Sequence, residues 1–219
     1  MKRCVLLIID SLGVGEAPDA KNYNNIGTNT LGNVSIANDG LELSTFEYLG
    51  FGKITQVKGM KNSFNSTVGR LSEVSKGNDS TTGHWEIGGL VTEKDFGVFP
   101  NGFPIELIEN IENEGNCKFI GNKHASGTEI IEELGQQHLK TGELILYTSG
   151  DSVFQIAAHN DICNIENLYK ICNIARKHCD KYNIGRVIAR PFKGSLGNFV
   201  RTYVDNLIFI HQEKSKAFI

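Results

Sequence analysis

Three adjacent hydroxyl side chains, at Ser80, Thr81 and Thr82, are the residues of this sequence best suited to covalent chemistry. They lie in a turn-forming polar run, residues 76–86, which also carries His84. A hydroxyl attacks phosphorus or a carbonyl carbon only when a base or a metal ion lowers its proton affinity. No side chain in the run is placed as an obvious base, so activation requires a metal ion or a base from elsewhere in the chain. The alternative is a polar surface turn in which the Asp79 side chain accepts a hydrogen bond from a nearby backbone N–H group.

Asp10 follows the first apolar run of the chain and is a second candidate for the same chemistry. Residues 4–9 form a continuous β-favouring run, which predicts a strand buried on both faces of a parallel sheet. Ligands collect beyond the carboxyl ends of such strands, which is where Asp10 falls. A divalent cation could bridge Asp10 and Ser80 and activate the hydroxyl. The alternative role for Asp10 is to cap a helix that follows the strand.

A second group of polar side chains, further along the chain, suits a phosphorylated sugar. Arginine binds phosphate through two parallel hydrogen bonds, and a carboxylate accepts hydrogen bonds from sugar hydroxyls. The alternative is that the arginines form surface salt bridges with acidic side chains. The group consists of Ser149, Asp151, Arg186, Arg190 and Arg201.

Strands and helices are predicted to alternate along the chain, which indicates an α/β protein. Apolar residues at helical spacing predict helices over residues 103–114 and 166–180, and a further helix is predicted over residues 128–134, where acidic residues near the start suit the helix dipole. Short β-favouring runs predict strands at residues 117–120, 144–148 and 187–189.

Composition excludes several classes of protein. The chain has 219 residues and a net charge of −3, with no basic stripe for nucleic acid and no cationic amphipathic helix for a membrane surface. Its five cysteines include no Cys-x-x-Cys pair, so neither a disulfide framework nor a zinc ribbon is expected. The apolar run near the N-terminus is too short for a signal peptide or a membrane span. We expect a cytoplasmic, monomeric protein with no nucleic-acid or membrane partner.

Six segments of the chain closely resemble prokaryotic phosphopentomutases, and one of them contains the run Gly83-His84-Trp85-Glu86. The resemblance extends from Met1 to about Thr202. It implies a partial alkaline-phosphatase-like core, a parallel sheet with flanking helices, interrupted by an inserted α/β cap. The implied domains are 1–95 for the core part, 96–202 for the cap and 203–219 for a divergent tail. The segments are residues 8–20, 82–87, 120–123, 125–130, 147–157 and 185–192.

The resemblance also implies an activity and roles for the candidate residues. Such enzymes interconvert α-D-ribose 1-phosphate and ribose 5-phosphate, and the 2-deoxy sugars, in nucleoside catabolism. The reaction passes through a phosphorylated enzyme and a bisphosphate intermediate and uses two manganese ions. By this resemblance Asp10 is a metal ligand, and Ser80, where the family usually has threonine, accepts and donates the phosphoryl group and contacts the metal. The positions implied to hold the pentose and its distal phosphate are Ser149, Asp151, Arg186 and Arg201, with Arg190 ranked second.

After Thr202 the chain departs from the family pattern. Family members continue into a segment that carries most of the metal ligands, and no replacement cluster is evident among the six histidines of this chain. His84 is interpreted as shaping the loop rather than binding metal. We therefore expect little or no mutase activity from this chain alone. Two alternatives stay open: a pentose-phosphate-binding remnant without catalysis, and another metal-dependent phosphomutase of the superfamily, although the Gly-His-Trp-Glu run argues against the latter.

Overall fold

The structure is a computed structural model of the chain, and it describes residues 3, 5–9, 11–61, 66–202 and 206–210. The chain divides into two compact units, Met1–Glu73 and Val74–Ile219. The domain boundary predicted after residue 95 stays a prediction. In the described part of the chain, no helix has both the length and the apolar character needed to cross a membrane.

The described residues of the first unit form two short helices, α1 (Thr30–Ala37) and α2 (Ser44–Leu49), with 3-10 turns at Ala20–Tyr23 and Phe51–Lys53. Asn29 caps α1, and its Oδ1 accepts hydrogen bonds from the backbone of Gly15 (3.1 Å) and Gly32 (3.3 Å). Its Nδ2 donates to Thr55 at 3.0 Å. One amide side chain thus holds three segments of this unit together.

The strand predicted at residues 4–9 is wrong for the residues that the structure describes. Residues 5–9 have no regular secondary structure, and their side chains are exposed, from 47% for Ile9 to 87% for Val5. A strand buried on both faces needs hydrogen-bonding neighbours and a covering layer. The described residues of the first unit contain no strand to pair with it.

The second unit is built on one sheet, which confirms the α/β class. The strands β1 to β5 follow one another across the sheet, and β6 pairs with β4 beside β5. The pairs β1–β2 and β3–β4 are parallel, and the other three pairs are antiparallel. The strands are β1 (Phe119–His124), β2 (Leu144–Thr148), β3 (Val153–His159), β4 (Arg186–Lys193), β5 (Val200–Arg201) and β6 (Leu207–Ile210).

The described residues of the second unit form four α-helices, and three of them were predicted from the sequence. The predicted helices at residues 103–114 and 166–180 are confirmed within two residues at either end, whereas the helix predicted at residues 128–134 extends further, to Thr141. The helices are α3 (Ser80–Ile87), α4 (Ile105–Gly115), α5 (Gly127–Thr141) and α6 (Ile165–Cys179), with a 3-10 turn at Asp180–Tyr182.

The two faces of the sheet pack against different helices, because successive strand side chains point to opposite faces. On one face Leu146, Phe154 and Val187 join the buried residues of α4 and α6. On the other, which we call the α5 face, Tyr147 and Phe192 pack with the apolar residues of α5. Every second side chain along β4, counted from Phe192, therefore lies on the α5 face too.

The segment that the sequence marked as a divergent tail contributes the strand β6. Its residues pair with the first half of β4, with Ile210 opposite Arg186 and Ile208 opposite Ile188. Opposed residues of an antiparallel pair project to the same face. Ile208 and Ile210 therefore lie on the α5 face beside Arg186.

A buried histidine links α5 to the sheet and makes stability sensitive to acid. The ring of His138 is fully buried; its Nδ1 donates to the Glu143 carbonyl (2.6 Å) and its Nε2 accepts from the backbone N–H of His159 (2.8 Å). Burial lowers the pKa of His138, and electrostatic repulsion from the nearby His159 lowers it further. The hydrogen bond to the Glu143 carbonyl acts in the opposite direction and raises the pKa. Because this folded-state pKa lies below the unfolded value near 6.5, the stabilising effect is complete above about pH 6.5 and is lost as the pH falls below it.

We expect His138→Gln to lower the free energy of unfolding by roughly 1–3 kcal/mol at pH 7, since one backbone partner loses its bond. The variant should also lose less stability than the parent between pH 7 and pH 5. Urea titrations at both pH values measure this. The exposed His124 supplies the control, and a His124→Gln variant with the same two effects would contradict the assignment.

Candidate functional site

Ser80 is the first residue of α3, and Asp79 holds the start of that helix in place. The Asp79 carboxylate accepts hydrogen bonds from the backbone of Thr81 (2.8 Å) and Thr82 (3.0 Å), and from the Thr82 hydroxyl (2.7 Å). The turn before it requires Gly77, whose φ of +114° is left-handed. Aspartate is a favoured cap for these otherwise unpaired N–H groups. The Ser80 side chain is left exposed on the first turn of the helix.

Glu86 ties the other end of α3 to the segment that precedes the loop. Its two carboxylate oxygens accept from the backbone of Val74 (2.9 Å) and Ser75 (2.7 Å). Hydrogen bonds from Ser75 and then from Val74 hold the pKa of Glu86 below its ordinary value. His84 Nδ1 lies 2.6 Å from the Ser80 carbonyl, so it donates and leaves Nε2 as the acceptor. This geometry agrees with the loop-shaping role predicted for His84.

Loss of the Asp79 cap should weaken the placement of Ser80. We expect Asp79→Ala to reduce the free energy of unfolding by about 1 kcal/mol, the usual effect of removing an N-cap. Asp79→Asn keeps a side-chain oxygen for the backbone N–H groups and should cost less. Thermal and urea unfolding of the two variants measure the difference. Equal losses in both variants would show that the cap is not what Asp79 contributes.

Ser80 and Arg186 line a single cavity of about 260 Å³ in the second unit. The structure thus brings together a candidate nucleophile and a candidate phosphate ligand that are far apart in the sequence. Apolar groups form most of the remaining lining. The other lining residues are Thr81, His84, Trp85, Ile208 and Ile210.

Arg186 is oriented by Asp151, another predicted site residue. The two side chains form an ion pair of 2.6 Å, with the arginine 15% and the aspartate 40% exposed. Buried Ser152 fixes the same loop, because its hydroxyl donates to the Gly97 carbonyl and accepts from Gly185 N–H at 3.0 Å. The sequence left open that the arginines form salt bridges with acidic side chains. Arg186 does form one, with Asp151, and Arg186 also lines the cavity.

Arg190 and Arg201 lie further along the α5 face, next to Tyr147. Arg190 Nε donates to Gln155 at 3.0 Å. Burial raises the pKa of the Tyr147 hydroxyl, an effect that the charges of Arg190 and Arg201 partly offset. Burial also lowers the pKa of Arg190, which is in electrostatic contact with both Arg186 and Arg201. We call Arg186, Arg190 and Arg201 the arginine row. These three cationic side chains lie along the α5 face, and Arg186 is the one that lines the Ser80 cavity.

The arginine row also approaches the first residue of α5. A Cβ atom added at Gly127 would lie 2.6 Å from the Tyr147 hydroxyl and 3.1 Å from Arg201 Cζ. Only glycine therefore permits the present approach of the helix to these two side chains. Ser149 lies in the loop after β2, half-buried, and it is not one of the residues that line the cavity.

The predicted metal ligands are only partly placed. Asp10 lies outside the described residues, so the structure gives no position for it. Among the residues that are described, no three His, Cys, Asp or Glu side chains are grouped so that they could hold a metal ion. These residues by themselves do not fit a site for two manganese ions.

Sequence reasoning missed three polar contributors to this surface. The sequence predicts Tyr147 only as part of a strand, and it marks Gln155 and Ser152 only as parts of a longer motif. An alternating pattern could have placed Gln155 on the same face as Arg190, given the β3–β4 register. The role of Ser152 depends on the distant Gly97 carbonyl, and no local pattern predicts that contact.

Comparison with curated proteins finds several phosphopentomutases. The enzyme of Carboxydothermus hydrogenoformans is 53% identical over 205 residues, which are 92% of this chain and 53% of that protein. Those of Caldanaerobacter subterraneus and Dictyoglomus turgidum are each 52% identical, over 92% of this chain and 52% of their own length. The chain is similar to phosphopentomutases over most of its length. This confirms the resemblance drawn from the motifs, and the chain spans about half the length of the curated relatives that it matches. A scan against family models finds no match.

Proposed function

We propose that this chain carries the phosphoryl-accepting and sugar-phosphate-holding parts of a phosphopentomutase, with Ser80 as the acceptor. The observation that supports it most is the shared cavity of Ser80 and Arg186. About half of the aligned residues are identical in a phosphopentomutase, and this identity is the reason to interpret the cavity as a site of phosphoryl transfer. The proposed substrates are α-D-ribose 1-phosphate, ribose 5-phosphate and their 2-deoxy forms, in a monomeric cytoplasmic protein.

The first phosphoserine forms when the Ser80 oxygen takes the phosphoryl group of one ribose 1-phosphate and ribose is released. In the proposed reaction this phosphoserine transfers its phosphoryl group to the free hydroxyl of a bound pentose monophosphate, so that a bond from phosphorus to the sugar oxygen forms as the bond to the Ser80 oxygen breaks, which gives a bisphosphate. The Ser80 oxygen then attacks the other phosphorus of the bisphosphate, the bond from that phosphorus to the sugar oxygen breaks, and the isomeric monophosphate leaves with the phosphoserine restored. Arginine guanidinium groups neutralise and orient the phosphate that is not transferred. Arg201 and Arg190 suit this role, while Asp151 and Ser149 are proposed to bind sugar hydroxyls. Manganese is proposed from the resemblance alone, and no step is derived through it.

The test is to incubate the chain with manganese and ribose 1-phosphate, to follow ribose 5-phosphate, and to map phosphoserine by peptide mass spectrometry. We expect slow phosphorylation at Ser80 with little net conversion. Absence of phosphoserine, or phosphorylation only elsewhere, would contradict the proposal. Rapid conversion with phosphoserine at Ser80 would support the function and show that the expectation of low activity is wrong.

A binding function without catalysis is the second candidate, because the described residues hold the arginine row but no grouped metal ligands. A calorimetric titration with ribose 5-phosphate in the presence of a chelator tests it. Binding that needs no metal and is weakened by Arg201→Gln, in a chain that never becomes phosphorylated, would favour this candidate over the mutase.

A further inference from the structure

We propose that the cavity beside Ser80 binds a small anionic ligand with an aromatic body, of the class of aryl phosphates. This ligand differs from the pentose phosphates proposed above. The inference depends on β6, the strand formed by the part of the chain that departs from the family pattern.

The cavity has an apolar wall built from two elements. Trp85 of α3 forms one part, and Ile208 and Ile210 of β6 form another. The two isoleucines are each 48% exposed, so about half of each side chain is open to contact. Burying such surface is favourable, and an aromatic ring packs well against an indole. The wall therefore favours a flat apolar body.

The polar groups of the cavity favour the binding of one anionic group. Thr81 is only 5% exposed, it lines the cavity, and its Oγ1 has no hydrogen-bond partner among the atoms described. A buried hydroxyl without a partner costs free energy, which a ligand oxygen would offset. Arg186 lies in the same lining. A guanidinium has five N–H donors, and the single bond to Asp151 does not exhaust them.

The N-terminus of α3 is not the anion site, because the first free backbone N–H groups of the helix already donate to the Asp79 carboxylate. The anion is therefore assigned to Arg186 and Thr81. A cavity of roughly 150 Å³ holds a benzene ring. The volume of about 260 Å³ beside Ser80 therefore has room for a ring with one phosphate. The pentose phosphate proposed above lies along the arginine row with its hydroxyls toward Asp151 and Ser149, so it makes little use of the apolar wall.

Trp85 provides the readout, because it is the only tryptophan of the 219 residues and it lines the cavity. The 219-residue chain is titrated with phenyl phosphate, ribose 5-phosphate and inorganic phosphate while tryptophan fluorescence is followed. We expect a saturable change with phenyl phosphate at a concentration about tenfold lower than with either of the other two. Loss of the charged hydrogen bonds in Arg186→Gln should weaken phenyl phosphate binding by roughly tenfold.

Three further variants separate this site from the sugar-phosphate site. Ile208→Ser should weaken phenyl phosphate binding several-fold, and Thr81→Val, which replaces the hydroxyl by a methyl group, should do the same. Arg201→Gln should leave phenyl phosphate binding unchanged, although it weakens ribose 5-phosphate binding if the function proposed above holds. Circular dichroism confirms that each variant is folded. Equal affinity for ribose 5-phosphate and phenyl phosphate with no effect of Ile208→Ser, or no saturable binding of phenyl phosphate, would overturn the proposal.

Discussion

Ser80→Ala should reduce phosphoenzyme formation by roughly 10³-fold or more, the usual scale for loss of a nucleophile that acts within a catalytic unit. The reason is chemical, because alanine has no oxygen to form the bond to phosphorus. Helix α3 should persist, since Asp79 and Glu86 hold it through backbone N–H groups that the substitution does not touch.

Ser80→Thr is the matched variant, because threonine keeps the hydroxyl and is the residue that the family usually carries here. We expect it to retain phosphorylation within about an order of magnitude of the parent. Thr81→Val controls for the neighbouring hydroxyl and should also retain phosphorylation at Ser80. Phosphopeptide mapping of all three variants measures the outcome. Phosphorylation that survives in Ser80→Ala but is lost in Thr81→Val would contradict the assignment of Ser80 and identify Thr81 as the nucleophile.

Phe154→Ala should cause the largest loss of stability, about 3–5 kcal/mol in the free energy of unfolding of the second unit. The Phe154 ring is fully buried in β3, with its centroid 4.5 Å from that of Phe103 and 6.1 Å from that of Phe119. Truncation removes these contacts and leaves a cavity between the sheet and the helices α4 and α6.

Two controls accompany the Phe154 variant in urea titrations. Phe154→Leu keeps most of the volume and should cost less than the alanine variant. Leu196→Ala removes a side chain that is 54% exposed, so its effect should lie within about 0.5 kcal/mol. A similar loss for Phe154→Ala and Leu196→Ala would show that the packing around β3 is not the main source of stability.

Limited proteolysis tests the relative stability of the two units. The sequence predicts a resistant piece of about residues 95–201, and the buried clusters beside the sheet all lie beyond residue 102. Digestion followed by mass spectrometry should therefore preserve this region and cleave first within residues 5–9. Protection of residues 5–9 together with loss of the sheet would contradict the expectation.

Local patterns predicted the helices α4 and α6 and the strand β2, because each has a clear apolar periodicity or run within a single segment. The strand β3 was missed. Both of its faces are buried, and Gln155 and His159 interrupt its apolar run, so neither alternation nor continuity marked it. Residues 5–9 show the converse failure, since an apolar run forms a buried strand only where other strands pair with it.

The candidate site was predicted as separate residues, and their proximity could not be. Side chains of α3, β4 and β6 line one cavity, and these elements are far apart in the sequence, so no local pattern predicts that Ser80 and Arg186 meet. The contribution of Ile208 and Ile210 follows from the pairing of β6 with β4, and nothing local in that segment indicates it. Asp10 stays a prediction.

The most direct test of the account is a crystal structure of the chain soaked with ribose 5-phosphate. The account predicts Ser80 and Arg186 in one cavity on the α5 face, with the phosphate bound along the arginine row and the sugar directed toward Asp151. A phosphate bound elsewhere, or a structure in which α3 lies away from β4 so that Ser80 and Arg186 share no cavity, would contradict it.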